Sequence, residues 1–122
     1  MALSVGNLDD SIQWYRGVLG LEEMFRQDFD DRRMVVLQFP GSHQTLGLVQ
    51  HHGTGGGFDP HAIGLDHLAF SVTSGEELAA WAGRLEARGV TNSGPVDTPF
   101  GGMLNFEDLN GIALALFWER GS

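Results

Sequence analysis

The sequence predicts an α+β fold made of two tandem βαβββ modules. Three observations carry that reading. Ala2-Leu3-Ser4-Val5 near the start is matched 67 positions later by Ala69-Phe70-Ser71-Val72. Each copy leads into a helical pattern with a tryptophan at the corresponding place, Trp14 and Trp81. Each half closes on a similar apolar run, residues 46–50 (LGLVQ) and, 68 positions on, residues 114–118 (LALFW). A self-similar period of this size marks repeated supersecondary units, and it acts as a ruler for matching positions between them.

The elements follow in order. Residues 1–5 read as a strand. Asn7 can cap a helix whose first turn carries Asp9 and Asp10, acidic charge at the positive end of the helix dipole. Leu8, Ile12, Tyr15 and Leu19 share one face of it, and Gly20 supplies the stop. Strands are predicted over 21–28, 33–39 and 45–51, separated by turns at Asp28–Asp31 and Pro40–Ser42. Residues 52–62 are a glycine-rich linker; its three consecutive glycines precede no helix start, so it is not a phosphate loop. Module one therefore spans 1–51 and module two 63–119.

Module two repeats the plan. A strand is predicted over 65–72. Thr73 and Glu76 read as a capping box, followed by a helix burying Leu78, Trp81, Ala82 and Leu85 and ending at Gly89. A short strand from Val90, a loop over 95–102 and a hairpin of 103–106 with 112–118 complete it. Trp14 and Trp81 read as packing residues, and alternation turns Trp118 toward the helix.

Composition excludes several functions. Sixteen acidic against seven basic side chains give a net charge of −9, with no lysine, so nucleic acid is a poor partner and cationic ligands are favoured. The absence of cysteine rules out disulfides, thiolate metal sites and cysteine nucleophiles. No stretch is long and apolar enough for a membrane span, so no membrane partner is expected and the expected location is cytoplasmic.

The wording of the chain resembles the vicinal oxygen chelate superfamily, which includes glyoxalase I, extradiol dioxygenases, fosfomycin-modifying enzymes and bleomycin-resistance proteins. Residues 7–21 (NLDDSIQWYRGVLGL) are similar to the family's first helix, written D-L-x-x-S-x-x-F-Y-x-x-V-L-G-L. Residues 66–70 (DHLAF) are similar to its fifth strand, and Asp108-Leu109-Asn110-Gly111 before an apolar strand to its D-P-x-G ending. The resemblance implies a cupped mixed sheet and a homodimer. In metal-dependent relatives, side chains from strands one, four, five and eight bind a divalent ion inside the cup, and the ion holds two substrate oxygens.

Carried over residue by residue, that ligand set is depleted. His67 fills the strand-five position. Its repeat partner falls one place before Met1. The strand-four and strand-eight positions fall on Gly47 and Ala115, which have no donor atoms. No metal or other cofactor is therefore expected, His67 being the only inherited ligand. A site using Zn, Ni, Fe or Mn with unconventional ligands is the alternative.

Strand alternation places Ala2, Ser4, Gly47, Val49, His51, His67, Ala69, Ala113, Ala115 and Phe117 on one face, with Met103 from the hairpin. Small residues there either open a ligand cavity or admit closer packing of another element. His67 is either a general acid–base or a hydrogen-bonded relic of the metal site. The leading expectation is sequestration of a small aromatic or amphipathic molecule, as in antibiotic resistance. The alternatives are a metal-dependent lyase or dioxygenase, and a metal-independent lyase or isomerase using His67.

Overall fold

The computed structural model describes residues 1–53 and 55–121; the predicted linker includes Thr54, which lies outside the described residues. The chain forms two compact units, Met1–Gly57 and Phe58–Ser122, called modules one and two below. Each contains one helix and one four-stranded mixed sheet.

In module one, β1 (Ala2–Ser4) precedes α1 (Leu8–Val18), and β2 (Glu22–Asp28), β3 (Arg32–Gln38) and β4 (Thr45–His51) follow. The sheet order is β1-β4-β3-β2, with β1 parallel to β4 and the other pairs antiparallel. Asn7 caps α1 as expected, its side chain accepting from the Asp10 N–H at 3.0 Å. Gln50 of β4 also accepts from the Leu8 N–H at 2.7 Å, which ties the helix start to the sheet. Leu8, Ile12, Tyr15 and Leu19 are buried with Val35, Leu37, Leu46 and Leu48, so the helix covers one sheet face. Trp14 is half-buried and packs edge-on to Tyr15, with ring centroids 4.9 Å apart.

Module two runs β5 (Leu68–Ser71), α2 (Gly75–Ala87), β6 (Val96–Thr98), β7 (Gly101–Glu107) and β8 (Ala113–Glu119). Its sheet order, β5-β8-β7-β6, copies module one, again with one parallel pair. Leu78, Trp81 and Leu85 are buried against Leu104, Leu114 and Leu116, while Ala82 is only half-buried. The repeat reaches the ladder itself: Val5 donates to the Val49 carbonyl at 2.9 Å, and Val72 to the Phe117 carbonyl at 2.8 Å. Trp118 occupies the place of Gln50 and packs beneath α2, 4.0 Å from where a Cβ on Gly75 would stand.

Four boundaries differ from the sequence expectation. Strand β5 begins at Leu68 rather than 65, because its ladder with β8 starts at the Leu68–Leu114 pair. His67 therefore precedes the strand. The helix cap is Ser74, one residue later than the Thr73–Glu76 reading. Ser74 is extended and accepts from the Glu77 N–H at 3.0 Å, while the Glu77 carboxylate reaches back to the N–H and hydroxyl of Thr73, both at 2.7 Å.

No strand starts at Val90, whose N–H finishes α2 by donating to the Leu85 carbonyl at 2.8 Å. The third strand of module two lies instead at β6, inside the predicted loop, and Gly101 and Gly102 belong to β7. A methyl group on Gly101 would stand 1.8 Å from the Trp118 carbonyl oxygen, so these glycines permit the close β7–β8 approach.

Candidate functional site

One face of each sheet is closed by its helix, so candidate functional side chains lie on the other. Register assigns them. In module one, Ala2 pairs with Gly47 and Ser4 with Val49. The antiparallel partners of Gly47, Val49 and His51 are Val36, Met34 and Arg32, so these six share the open face. In module two, Ala69 pairs with Ala115 and Ser71 with Phe117. Across β8, Ala113 meets Glu107, Ala115 meets Asn105, Phe117 meets Met103 and Glu119 meets Gly101.

The site residues expected from sequence thus divide between two faces. Ala2, Ser4, Gly47, Val49 and His51 come together on module one. Ala69, Met103, Ala113, Ala115 and Phe117 come together on module two. Ala2, Ser4, Ala69 and Ser71 are exposed, and Val49, Met103, Ala113 and Phe117 are half-buried. Ala115 is fully buried, so it forms floor without presenting surface. Alternation along strands one, four, five and eight misses Met34, Val36 and Asn105, which lie on the neighbouring strands. A signal for them is present in the repeat: Met34 and Met103 stand at matching places, each opposite the strand residue that pairs with a serine.

The positions that the family resemblance assigns to metal ligands on the fourth and eighth strands lack donor atoms. Gly47 and Ala115 occupy equivalent register positions, opposite Ala2 and Ala69. Neither can donate. A Cβ on Gly47 would lie 3.2 Å from that of Ala2, so the alanine side chain crowds the position. His67 sits just before β5, its side chain 45% exposed, with Nδ1 2.7 Å from Asp66 Oδ1. In the tautomer that carries its proton on Nδ1, His67 donates to Asp66 Oδ1 and Nε2 is the acceptor. Among the described residues, no three His, Asp or Glu side chains group so as to hold a metal ion.

A separate groove of about 270 Å³ lies on the helix side of module one, lined by Asp9, Ile12, Gln13, Arg16 and Arg26. A β-bulge between Glu23 and Phe25 brings Glu23 and Arg26 onto the same side of β2. Their 2.5 Å ion pair raises the Arg26 pKa, chiefly through the hydrogen bond to Glu23.

Two mixed sheets of order 1-4-3-2, repeated with matched register, define a tandem βαβββ protein. The chain belongs to the glyoxalase/bleomycin resistance protein/dioxygenase superfamily, whose family model matches residues 1–116. Among solved structures it is similar to a glyoxylase/bleomycin resistance protein/dioxygenase domain from Frankia sp. EAN1pec. The two are 35% identical over 98% of this chain and 94% of that one, with a TM-score of 0.90. The lactoylglutathione lyase of Agrobacterium tumefaciens shares the fold at 22% identity, 97% and 90% coverage and TM-score 0.74. TnmS3, an antibiotic binding protein from Streptomyces sp. CB03234, shares it at 23%, 98% and 93% coverage and TM-score 0.71. No curated protein sequence matches the chain. The same fold thus carries a lyase and a binding protein, and the choice between them rests on side chains.

Proposed function

We propose that this protein binds and sequesters a small aromatic or amphipathic molecule on its open sheet faces, without a metal ion. One observation carries the reading. The positions that the family resemblance assigns to metal ligands on strands four and eight hold Gly47 and Ala115, each opposite an alanine on the parallel strand. In place of donors, the faces offer small residues beside half-buried Val49, Met103 and Phe117. A mostly apolar surface with a few polar groups suits recognition of a hydrophobic ring system. The antibiotic binding activity named for TnmS3 makes a sequestered antibiotic the natural first ligand to test. A cytoplasmic homodimer is part of the proposal, by the family resemblance.

The test is calorimetry against a panel of natural products and antibiotics, with elemental analysis of the purified protein and light scattering for its mass in solution. Saturable binding by metal-free protein supports the reading. Stoichiometric metal that disappears in His67→Ala overturns it in favour of a metal-dependent lyase or dioxygenase.

A second reading has one observation behind it. The Asp66 carboxylate against Nδ1 orients His67 as a base through Nε2, as lyase or isomerase chemistry without a metal requires. It predicts turnover whose pH profile follows one imidazole and vanishes in His67→Ala.

A further inference from the structure

The open face of module two differs from that of module one in charge. On β5 to β8 it carries Ala69, Ser71, Met103, Asn105, Phe117 and Val96, and its charged strand residues are Glu107 and Glu119. No basic side chain of these strands shares it. Arg120 turns away, its guanidinium 5.6 Å from the ring centre of Trp118 on the helix side. Module one, in contrast, places Arg32 on its open face, together with Glu22.

The row Ser71–Phe117–Met103–Val96 crosses the sheet of module two. Its counterpart in module one is Ser4–Val49–Met34–Gln27. Each module therefore repeats a serine and a methionine flanking a bulky apolar residue. A thioether is polarisable and adapts to the edge of an aromatic ring, and Phe117 adds a stacking surface. Glu119 stands one pair beyond this row and Glu107 two pairs before it, roughly 7 and 13 Å along the strands. A flat ring system on Met103 and Phe117 is thus approached by carboxylates from both ends.

We infer that module two selects planar aromatic cations, with Met103 and Phe117 as the contact pair and Glu107 and Glu119 as the source of charge selection. The inference rests on the small-molecule reading above and adds to it the ligand's charge and place. The chain's net charge of −9 acts in the same direction at long range.

The experiment uses two tricyclic dyes of similar shape, proflavine (a cation) and acridine-9-carboxylate (an anion). Affinities are measured by fluorescence at low ionic strength. The protein carries ¹³C-methyl methionine, and its four methionines give four resolvable probes. Proflavine is expected to bind about tenfold more tightly, as two exposed carboxylates worth about threefold each would give. It should shift the Met103 methyl and leave the exposed Met24 methyl in place. The double variant Glu107→Gln/Glu119→Gln should bring the two dyes within about threefold of each other. Met103→Leu should retain the charge preference.

Equal affinity of the two dyes, or a shift at Met24 with Met103 unmoved, overturns the inference while leaving small-molecule binding intact. Saturable binding of neither dye overturns the inference, and failure of the whole natural-product panel as well removes the reading beneath it.

Discussion

Replacing Gly101 by alanine should be among the most damaging small substitutions in the chain. Gly101 opens β7 with φ +154°, a backbone conformation that side chains resist. The added methyl would lie 1.8 Å from the Trp118 carbonyl oxygen and 3.0 Å from the Arg120 nitrogen. Both are backbone atoms, one in the paired strand and one just past its end, so rotamer changes cannot relieve the clash. The strand must separate or the turn must rebuild, although Thr98 Oγ1 is hydrogen-bonded to both the N–H and the carbonyl of Gly101. Strained backbone costs about 1–3 kcal/mol and a forced strand separation adds to that, so a loss of about 3 kcal/mol or more is expected.

At about 2.1 cal/mol/K per residue of unfolding entropy, that loss lowers Tm by about 12 °C for a chain of 122 residues. The control is Gly94→Ala. Gly94 also has positive φ, +67°, but nothing lies within 4 Å of its added methyl. It should cost about 1–2 kcal/mol, from backbone strain alone. Urea titrations of the wild type and both variants, followed by tryptophan fluorescence, give the two losses. A Gly101→Ala loss no larger than that of Gly94→Ala would refute the steric reasoning and the β7–β8 register with it.

Other outcomes follow from the same structure. Ser74→Ala removes the acceptor for the Glu77 N–H and should cost about 1 kcal/mol in a urea titration, whereas Ser74→Asp should be nearly neutral. The Glu77 carboxyl titrates below its ordinary range, first because the Thr73 N–H and then because the Thr73 hydroxyl bonds its charged form. Its folded pKa being depressed, its contribution is complete above the unfolded value and disappears as pH falls through the folded one. Glu77→Gln should therefore melt below wild type near neutral pH and converge with it in acid; a constant gap would contradict the linkage. Asp108, 6% exposed, accepts from the Asn110 and Ile112 N–H groups at 2.8 and 2.9 Å. Asp108→Ala should cost about 2–3 kcal/mol by thermal melting. Asp108→Asn, which keeps the acceptor, should cost less.

Much of the fold is legible in the sequence because its signals are local or repeated. Asn7 and Gly20 bound α1 as their chemistry demands, and β4 runs over the residues that its turns predict. The repeat offset pairs Gly47 with Ala115, and the strand registers place the two at equivalent positions. Differences fall where a partner strand decides. Alternation extends the fifth strand through His67, yet the ladder between β5 and β8 begins only at the Leu68–Leu114 pair, one residue inside the start of β8. Pro95 and Pro99 give β6 the look of a loop, and only pairing with β7 makes it extended. The cap lies at Ser74 rather than Thr73 because both residues suit the role, and the Glu77 carboxylate can satisfy Thr73 as well.

The candidate site is half legible. Alternation identifies the faces of β1, β4, β5 and β8, and the lack of donor atoms in Gly47 and Ala115 is plain from residue types. It does not bring in Met34 or Asn105, because cross-strand neighbours depend on register, and register follows from turns and bulges distributed over each module. The sequence alone determined two βαβββ units, their matched positions and the lack of side-chain donor atoms at two of them, since these follow from periodicity and side-chain chemistry. Tertiary structure decided which carboxylates accompany Met103 and Phe117, that Ala115 is floor rather than surface, and that His67 stands outside its strand against Asp66. Those depend on which backbones run side by side, and a single chain of letters specifies that only once it has folded.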